Sequence, residues 1–189
     1  MDIPVFVTGR AEKAQEVERL GFRFERVALD LPEIQALDPG EVVESKARDA
    51  WSRVGRAVFV EDSGLAIRAW NGFPGALVRW LEKTAGLENL ARMLDAFPDR
   101  AATAACAAAY FDGKSIVIGR GEVSGSIAPR PRGRGGFGWD SLFIPDGSGR
   151  TLAEMTGAEK DRISHRRRAW EALAAQLGGV ARNAGQNAP

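Results

Sequence analysis

Ala57-Val58-Phe59-Val60-Glu61-Asp62-Ser63-Gly64 joins a continuous apolar run to two adjacent carboxylates. An uninterrupted apolar run bounded by a turn signal predicts a strand that is buried on both faces, as in α/β sheets. We expect this strand to end at Val60, with the polar residues forming a turn at its carboxyl end, where open α/β sheets bind ligands. Oxygen-rich sites of this kind suit Mg²⁺, but acidic residues also occur in ordinary turns.

Apolar patterns on both sides of this stretch predict further strands and helices in alternation. Residues 3–7 form a short apolar run, and the helix opened by Pro39-Gly40 has its apolar positions at 3.6-residue spacing. Residues 101–111 and 115–118 predict a hairpin around Asp112-Gly113, and residues 123–128 predict a separate strand. This succession predicts an α/β fold.

Composition and charge exclude several general classes of function. The chain has 189 residues and a formal net charge of +1, so nothing general attracts it to nucleic acid or to a membrane. We expect one domain over residues 1–179, and a disordered tail over residues 180–189, which are rich in Ala, Asn and Gly. No basic leader or long apolar stretch is present, so we expect a cytoplasmic protein.

Two short stretches suggest a purine pocket. Phe137-Gly138-Trp139-Asp140 offers two aromatic rings and a carboxylate, and Ser164-His165-Arg166 contains the only histidine of the chain. Ser164 is a suitable N-cap for a final helix, which would place His165 and Arg166 in its first turn. Taken singly, these residues also fit a packed core and a surface helix.

Two lysines are candidates for binding an anion. Lys13 follows the strand and turn ending at Thr8-Gly9, and the N-terminus of a helix favours anions at this point. Lys46 lies near the buried edge of its helix. The alternatives are a solvated Lys13 and a Lys46 whose ammonium extends to water.

The ordered series of these motifs resembles the inosine/xanthosine triphosphate pyrophosphatases, which hydrolyse non-standard purine nucleoside triphosphates. The resemblance spans residues 3 to about 177. Its motifs, in order, are Val5-Phe6-Val7-Thr8-Gly9 with Lys13, Leu31-Pro32-Glu33, the helix with Lys46, Glu61-Asp62-Ser63-Gly64, Phe73-Pro74-Gly75, Phe137-Gly138-Trp139-Asp140, Ala158-Glu159-Lys160 and Ser164-His165-Arg166. Such a series is far more specific than any one of its members.

The resemblance implies a long, twisted mixed sheet flanked by helices, two lobes with a nucleotide cleft between them, and a homodimer. It also implies attack of water on the α-phosphorus, releasing pyrophosphate. Glu33 and Asp62 are then the expected ligands of Mg²⁺, with Asp62 also orienting or deprotonating the water. Glu61 either assists Asp62 or only shapes the turn, and the role of Ser63 stays open.

The remaining predicted contacts divide between the triphosphate and the base. Those to the phosphates are Thr8, Lys13, Lys46 and Lys160. Phe137 or Trp139 would stack on the base, and Asp140 would position the base or a cation. His165 and Arg166 can donate hydrogen bonds to the carbonyl of hypoxanthine or xanthine, whereas the amino group of adenine would leave them unpaired.

Two residues depart from the family pattern, which usually has asparagine where this chain has Arg10 and Asp161. If Arg10 disables hydrolysis, the protein would instead bind or sense a purine nucleotide. A third hypothesis is nucleic-acid binding through Arg130, Arg132 and Arg134 together with the Arg166-Arg167-Arg168 run, and the near-zero net charge argues against it.

Overall fold

A mixed seven-stranded sheet forms the centre of the computed structural model, which describes residues 3–178. The strands are β1 (Val5–Val7), β2 (Glu25–Val27), β3 (Val58–Ile67), β4 (Pro74–Gly75), β5 (Ala101–Phe111), β6 (Ile116–Ile127) and β7 (Phe143–Pro145). Their order is β2-β1-β3-β5-β6-β7, with β4 paired to β3. β1 is parallel to β2 and β3, and the other pairs are antiparallel. The predicted tail, residues 180–189, lies outside the described residues.

Six α-helices flank this sheet within the described chain. They are α1 (Ala11–Arg19), α2 (Pro39–Val54), α3 (Val78–Thr84), α4 (Leu87–Met93), α5 (Gly157–Ile163) and α6 (His165–Gln176). The predicted cap of the last helix is confirmed, because the Ser164 hydroxyl accepts a hydrogen bond from the Arg167 N–H at 3.1 Å. The α/β fold with a mixed sheet and flanking helices is confirmed as well. None of the helices over residues 3–178 has the length and apolar character needed to cross a membrane.

The predicted end of the central strand at Val60 is wrong. β3 continues through Glu61-Asp62-Ser63-Gly64 to Ile67, and each of these residues pairs with β5. The partners on β5 are small, with Ala107 opposite Asp62 and Cys106 opposite Ser63. Their small side chains leave room for polar groups beside the ladder, and β5 satisfies the backbone, so polarity does not end the strand.

The polar segment of β3 lies between separate hydrophobic clusters. Val58 and Val60 join a cluster with α2, whereas Phe59 joins one with α1 and α6. Because successive strand residues point to opposite faces, these two clusters cover the two faces of the sheet. Leu65 and Ile67 belong to a third cluster, which includes residues of α4 and β7. The carboxylates of β3 therefore lie between two halves of the core.

β6 is one strand of twelve residues rather than the two predicted segments. Gly119 and Gly121 suggest a break in the sequence, but both contact the backbone of α6. A Cβ atom on Gly119 would lie 2.2 Å from the Ala169 carbonyl oxygen, and one on Gly121 would lie 2.3 Å from the Ala169 nitrogen. These glycines allow α6 to pack closely on the strand, which brings His165 and Arg166 to the site.

Candidate active site

The predicted site residues converge on one cavity of about 180 Å³. The predicted residues that line it are Thr8, Arg10, Lys13, Glu33, Lys46, Glu61, Asp62, Ser63, Phe137, Trp139, Asp140, His165 and Arg166. They come from α1, α2, β3 and α6 and from the loops that follow β1 and β2 and precede β7. Of the predicted site residues, Lys160 alone does not line the cavity.

Lys46 joins the two carboxylates that were predicted to bind metal. Its ammonium donates to Glu33 Oε1 at 2.9 Å and to Asp62 Oδ1 at 3.2 Å, and also to the Glu61 carbonyl oxygen at 3.4 Å. Burial opposes the charge on Lys46, yet Asp62 and Glu33 outweigh it and raise the pKa of the ammonium. Lys46 therefore does not extend to water. Its ammonium lies between the Glu33 carboxylate of the loop after β2 and the Asp62 carboxylate of β3.

Asp62 is buried, and its ionisation differs from that of its neighbours. Burial raises the pKa of Asp62 above its ordinary value, although Lys46 and Lys13 oppose the effect. The pKa of Glu33 is lowered, because Lys46 and Arg79 outweigh the burial of that side chain. Asp62 thus holds a proton more readily than an ordinary aspartate, whereas Glu33 stays ionised more readily than an ordinary glutamate.

The chemistry of Glu33 and Asp62 fits a hard divalent cation. Both carboxylates already bind the same positive charge, and Mg²⁺ is commonly held by one or two carboxylates together with substrate phosphates. Within residues 3–178, no cluster of three or more His, Cys, Asp or Glu side chains could hold a metal by itself. The phosphates of a substrate would therefore have to supply the further oxygen ligands.

Glu61 is an anchor for cations rather than a turn residue. The Arg166 Nε donates to both carboxylate oxygens of Glu61, at 3.0 and 2.8 Å, and Trp170 Nε1 donates at 2.9 Å. Lys13 Nζ lies 3.2 Å from Glu61 Oε1. Burial opposes the charge, but Arg166 and Lys13 hold the pKa of Glu61 well below its ordinary range.

Arg166 has little capacity left for a ligand. Beyond its Nε, its Nη2 donates to Glu61 at 2.8 Å and to Ser63 Oγ at 3.3 Å, and its Nη1 donates to Glu16. A guanidinium has five N–H donors, so these bonds leave one Nη1 hydrogen without an acceptor among the described residues. The predicted role of Arg166 toward a base therefore rests on that one donor.

Lys160 lies beside the Phe137 ring and outside the cavity lining. Its ammonium donates to Glu16 Oε1 at 2.7 Å and to Asp140 Oδ2 at 2.5 Å, and it lies 4.7 Å from the centre of the Phe137 ring. Asp140 also accepts the Phe137 backbone N–H at 2.8 Å. Lys160 thus has the Asp140 partner that was predicted for a cation, and its role toward the phosphates stays a prediction.

The aromatic part of the cavity combines Phe137, Trp139 and His165. Trp139 is 8% exposed and belongs to the hydrophobic core, whereas Phe137 is only half-buried. The rings of Trp139 and His165 lie 5.2 Å apart at 30°. Burial, followed by Arg166 and Lys160, lowers the pKa of His165 well below 6.5, so the imidazole is neutral at pH 7. Its buried Nδ1 has no hydrogen-bond partner among residues 3–178.

Four further charged residues belong to this site but carry no motif that identifies them. Glu16 pairs with Lys160 and Arg166, and Asp30, Arg79 and Glu82 line the cavity. Helical spacing gives the available signal, because Glu16 follows Lys13 by three residues, as Glu82 follows Arg79, and residues at this spacing share a helix face.

Comparison with known proteins identifies the family of this chain. The Ham1 family model matches residues 4–176. A dITP/XTP pyrophosphatase of Thermococcus kodakarensis is 43% identical over 168 residues, covering 87% of this chain and 91% of that protein. Inosine triphosphate pyrophosphatase 2 of Trypanosoma cruzi is 41% identical over 176 residues, with 90% of each chain covered. A solved HAM1 protein structure from Coxiella burnetii superposes with a TM-score of 0.80 at 28% identity, covering 94% of this chain and 99% of that one. The chain belongs to the Ham1 family.

Proposed function

We propose that this protein hydrolyses the non-standard purine nucleoside triphosphates ITP, dITP and XTP to the monophosphate and pyrophosphate, with Mg²⁺ as cofactor. The observation that carries the proposal is one cavity that joins the Glu33–Lys46–Asp62 group to Phe137 and a neutral His165. The activities named for the Thermococcus and Trypanosoma relatives support the same class of substrate.

Asp62 is the general base of the proposed reaction. A water oxygen forms a bond to the α-phosphorus, the bond from that phosphorus to the bridging oxygen breaks, and pyrophosphate leaves. Asp62 accepts the proton of the water, and its raised pKa makes it a better acceptor than a surface aspartate. Mg²⁺, when bound by Glu33 and Asp62, would neutralise negative charge on the phosphates.

The phosphates need cations and donors on the protein side. Lys13 and Lys46 line the cavity next to the carboxylates, and Thr8 precedes the N-terminus of α1. The N–H groups of the first turn of a helix have no partner within the helix, and they favour an anion. Thr8, Lys13 and Lys46 therefore bind and orient the triphosphate, whereas Lys160 holds Asp140 beside the base platform.

The base stacks on Phe137, because Trp139 is packed into the core. Stacking contributes about 1–3 kcal/mol and does not distinguish one purine from another. Selectivity comes from His165 and the remaining Nη1 hydrogen of Arg166, which can meet the carbonyl of hypoxanthine or xanthine. The amino group of adenine would leave both donors unpaired, at a cost of about 1–3 kcal/mol each. Guanine has the same carbonyl, so ATP is the informative competitor.

The first test is the identity of the products. Purified protein incubated with ITP and Mg²⁺ is expected to yield IMP and pyrophosphate, separated by ion-exchange chromatography. Release of IDP and phosphate, or no turnover at all, would contradict the proposal. ITP binding without turnover would favour the alternative of a nucleotide-binding or nucleotide-sensing protein with impaired hydrolysis.

The preference for ITP over ATP is expected to depend on His165 and not on pH. His165→Ala removes one donor and should lower the ratio of the two kcat/KM values by about tenfold. In the wild type the ratio should stay constant from pH 6 to 8, because the pKa of His165 lies well below 6.5 and the imidazole is neutral over this range. A ratio that changes with a midpoint near pH 6.5 would show that the imidazolium recognises the base.

The homodimer and the cytoplasmic location stay predictions. The proposed partner is a small nucleotide, and neither a membrane nor a nucleic acid is needed for this activity.

A further inference from the structure

Arg10 is the cavity residue that departs from the usual asparagine, and its side chain spans two elements. Arg10 is the N-cap of α1, and its backbone N–H donates to Thr8 Oγ1 at 3.3 Å. Its Nη2 lies 3.6 Å from Glu82 Oε2 on α3, and its guanidinium carbon lies 5.7 Å from the centre of the Phe137 ring. The backbone of Arg10 therefore lies next to Thr8 at the start of α1, and its guanidinium lies near Glu82 and Phe137.

The contact between Arg10 and Glu82 is loose compared with the other ion pairs of the cavity. Its 3.6 Å separation exceeds hydrogen-bond distance, and the two side chains are 29% and 24% exposed. By contrast, Lys46 and Arg166 lie within 3.2 Å of their carboxylates and are almost fully buried. Exposed pairs are weak because water screens them. Arg10 is thus the cation of the cavity that can leave its carboxylate most easily.

The charge balance of the cavity favours transfer of the Arg10 guanidinium from Glu82 to a bound triphosphate. The lining carries five basic side chains and six acidic ones, so it has no excess positive charge for a triphosphate of about four negative charges. Lys13, Lys46 and Arg166 are each bound to a buried carboxylate. Phosphate oxygens carry more charge than one carboxylate, and they accept the guanidinium fork in two parallel bonds.

The size of the cavity also favours movement of Arg10 away from Glu82. Its volume of about 180 Å³ is below the range of about 300–1,000 Å³ that is usual for small-molecule sites. Arg10 and Glu82 both belong to the lining, so their contact occupies part of the space that a nucleotide needs. Movement of Arg10 away from Glu82 would enlarge the cavity and supply a cation.

We propose that Arg10 is a polyphosphate-binding residue that exchanges the Glu82 carboxylate for the phosphate oxygens of the substrate. Glu82 is then the competitor that holds the guanidinium while the site is empty. This inference rests on the proposed function for the identity of the substrate. Its polyphosphate part can be tested without any nucleotide.

The test compares Arg10→Asn, Arg10→Lys, Glu82→Gln and the double variant Arg10→Asn/Glu82→Gln with the wild type. Calorimetric titration with inorganic tripolyphosphate, in the presence of Mg²⁺, measures binding without a base or a reaction. Arg10→Asn should weaken binding about tenfold, and Arg10→Lys should recover part of the loss. Glu82→Gln should tighten binding about threefold, since it removes the competing charge. In the double variant this gain should disappear.

Steady-state kinetics with ITP supply the second measurement. Arg10→Asn should raise KM by a factor similar to the loss of tripolyphosphate affinity while kcat changes less than about twofold, as expected for uniform binding. Arg48→Asn and Glu44→Gln are matched controls, because they change the same charges in an exposed pair on α2 that does not line the cavity. Both controls should leave KM and tripolyphosphate binding unchanged.

Three results would overturn the inference. Loss of ITP affinity in Arg10→Asn with unchanged tripolyphosphate binding would place the guanidinium on the base. Equal losses of tripolyphosphate affinity in Arg10→Asn and Glu82→Gln would make the pair a structural contact. An equal loss of affinity in Arg48→Asn would mean that only the overall charge of the protein matters. A wild type that binds tripolyphosphate but does not hydrolyse ITP would contradict the proposed function, and the tripolyphosphate series would still decide the role of Arg10.

Discussion

Asp62→Asn is expected to lower kcat for ITP by about three orders of magnitude, the middle of the range for a general base. The amide cannot accept the proton of the attacking water, and it is a poorer ligand for a hard cation than a carboxylate. Size and shape are kept, and Lys46 retains its 2.9 Å contact with Glu33. The defect should therefore appear in turnover and not in folding.

Nucleotide binding separates this role from a general loss of the site. Equilibrium dialysis with an ITP analogue whose α,β-bridging oxygen is replaced by a methylene group should give a Kd for Asp62→Asn within about threefold of the wild-type value, since Lys13, Thr8 and the base platform are intact. Asp95→Asn is the matched control, because Asp95 pairs with Arg100 on the surface and does not line the cavity. If Asp62→Asn kept more than a tenth of the wild-type kcat, another group would have to be the base.

Arg166→Met is expected to lower the free energy of unfolding by about 3–5 kcal/mol, the usual range for breaking a buried ion pair. Methionine keeps most of the side-chain volume but leaves Glu61 and Glu16 buried without the guanidinium that bonds to both. Urea denaturation at pH 7 measures the loss. Arg92→Met, at an exposed position of α4, is the control and should change stability by less than about 0.5 kcal/mol.

The stability loss in Arg166→Met should depend on pH, because Glu61 and Glu16 titrate differently in the folded and unfolded protein. The folded protein holds the pKa of Glu61 and Glu16 below the ordinary value of 4.5. Their contribution to stability is therefore fully present above pH 4.5 and is lost as the pH falls below that value. The difference between wild type and Arg166→Met should narrow on acidification below pH 4.5. A difference that stays constant would mean that packing, and not charge, makes Arg166 important.

The sequence determined the alternation of strands and helices and the membership of most of the site. Local patterns were sufficient for this, because the apolar spacing of a segment reports which of its faces is buried. The cap at Ser164, the helix from Pro39 and the convergence of Glu33, Lys46 and Asp62 on one cavity agree with the structure. The length of β3 could not be read in this way, since its polar residues are accommodated by the small residues of another strand.

Tertiary structure decided which charges meet, and the 57–64 stretch illustrates the difference. Its two carboxylates are adjacent in sequence, yet Asp62 faces Lys46 with a raised pKa while Glu61 is held ionised by Arg166, 105 residues later. Lys160 likewise bonds to Glu16 across 144 residues and to Asp140 across 20. Neighbouring strand residues point to opposite faces, so their partners come from different helices. Pairing between distant elements leaves no local periodicity, and for that reason only the folded chain reveals it.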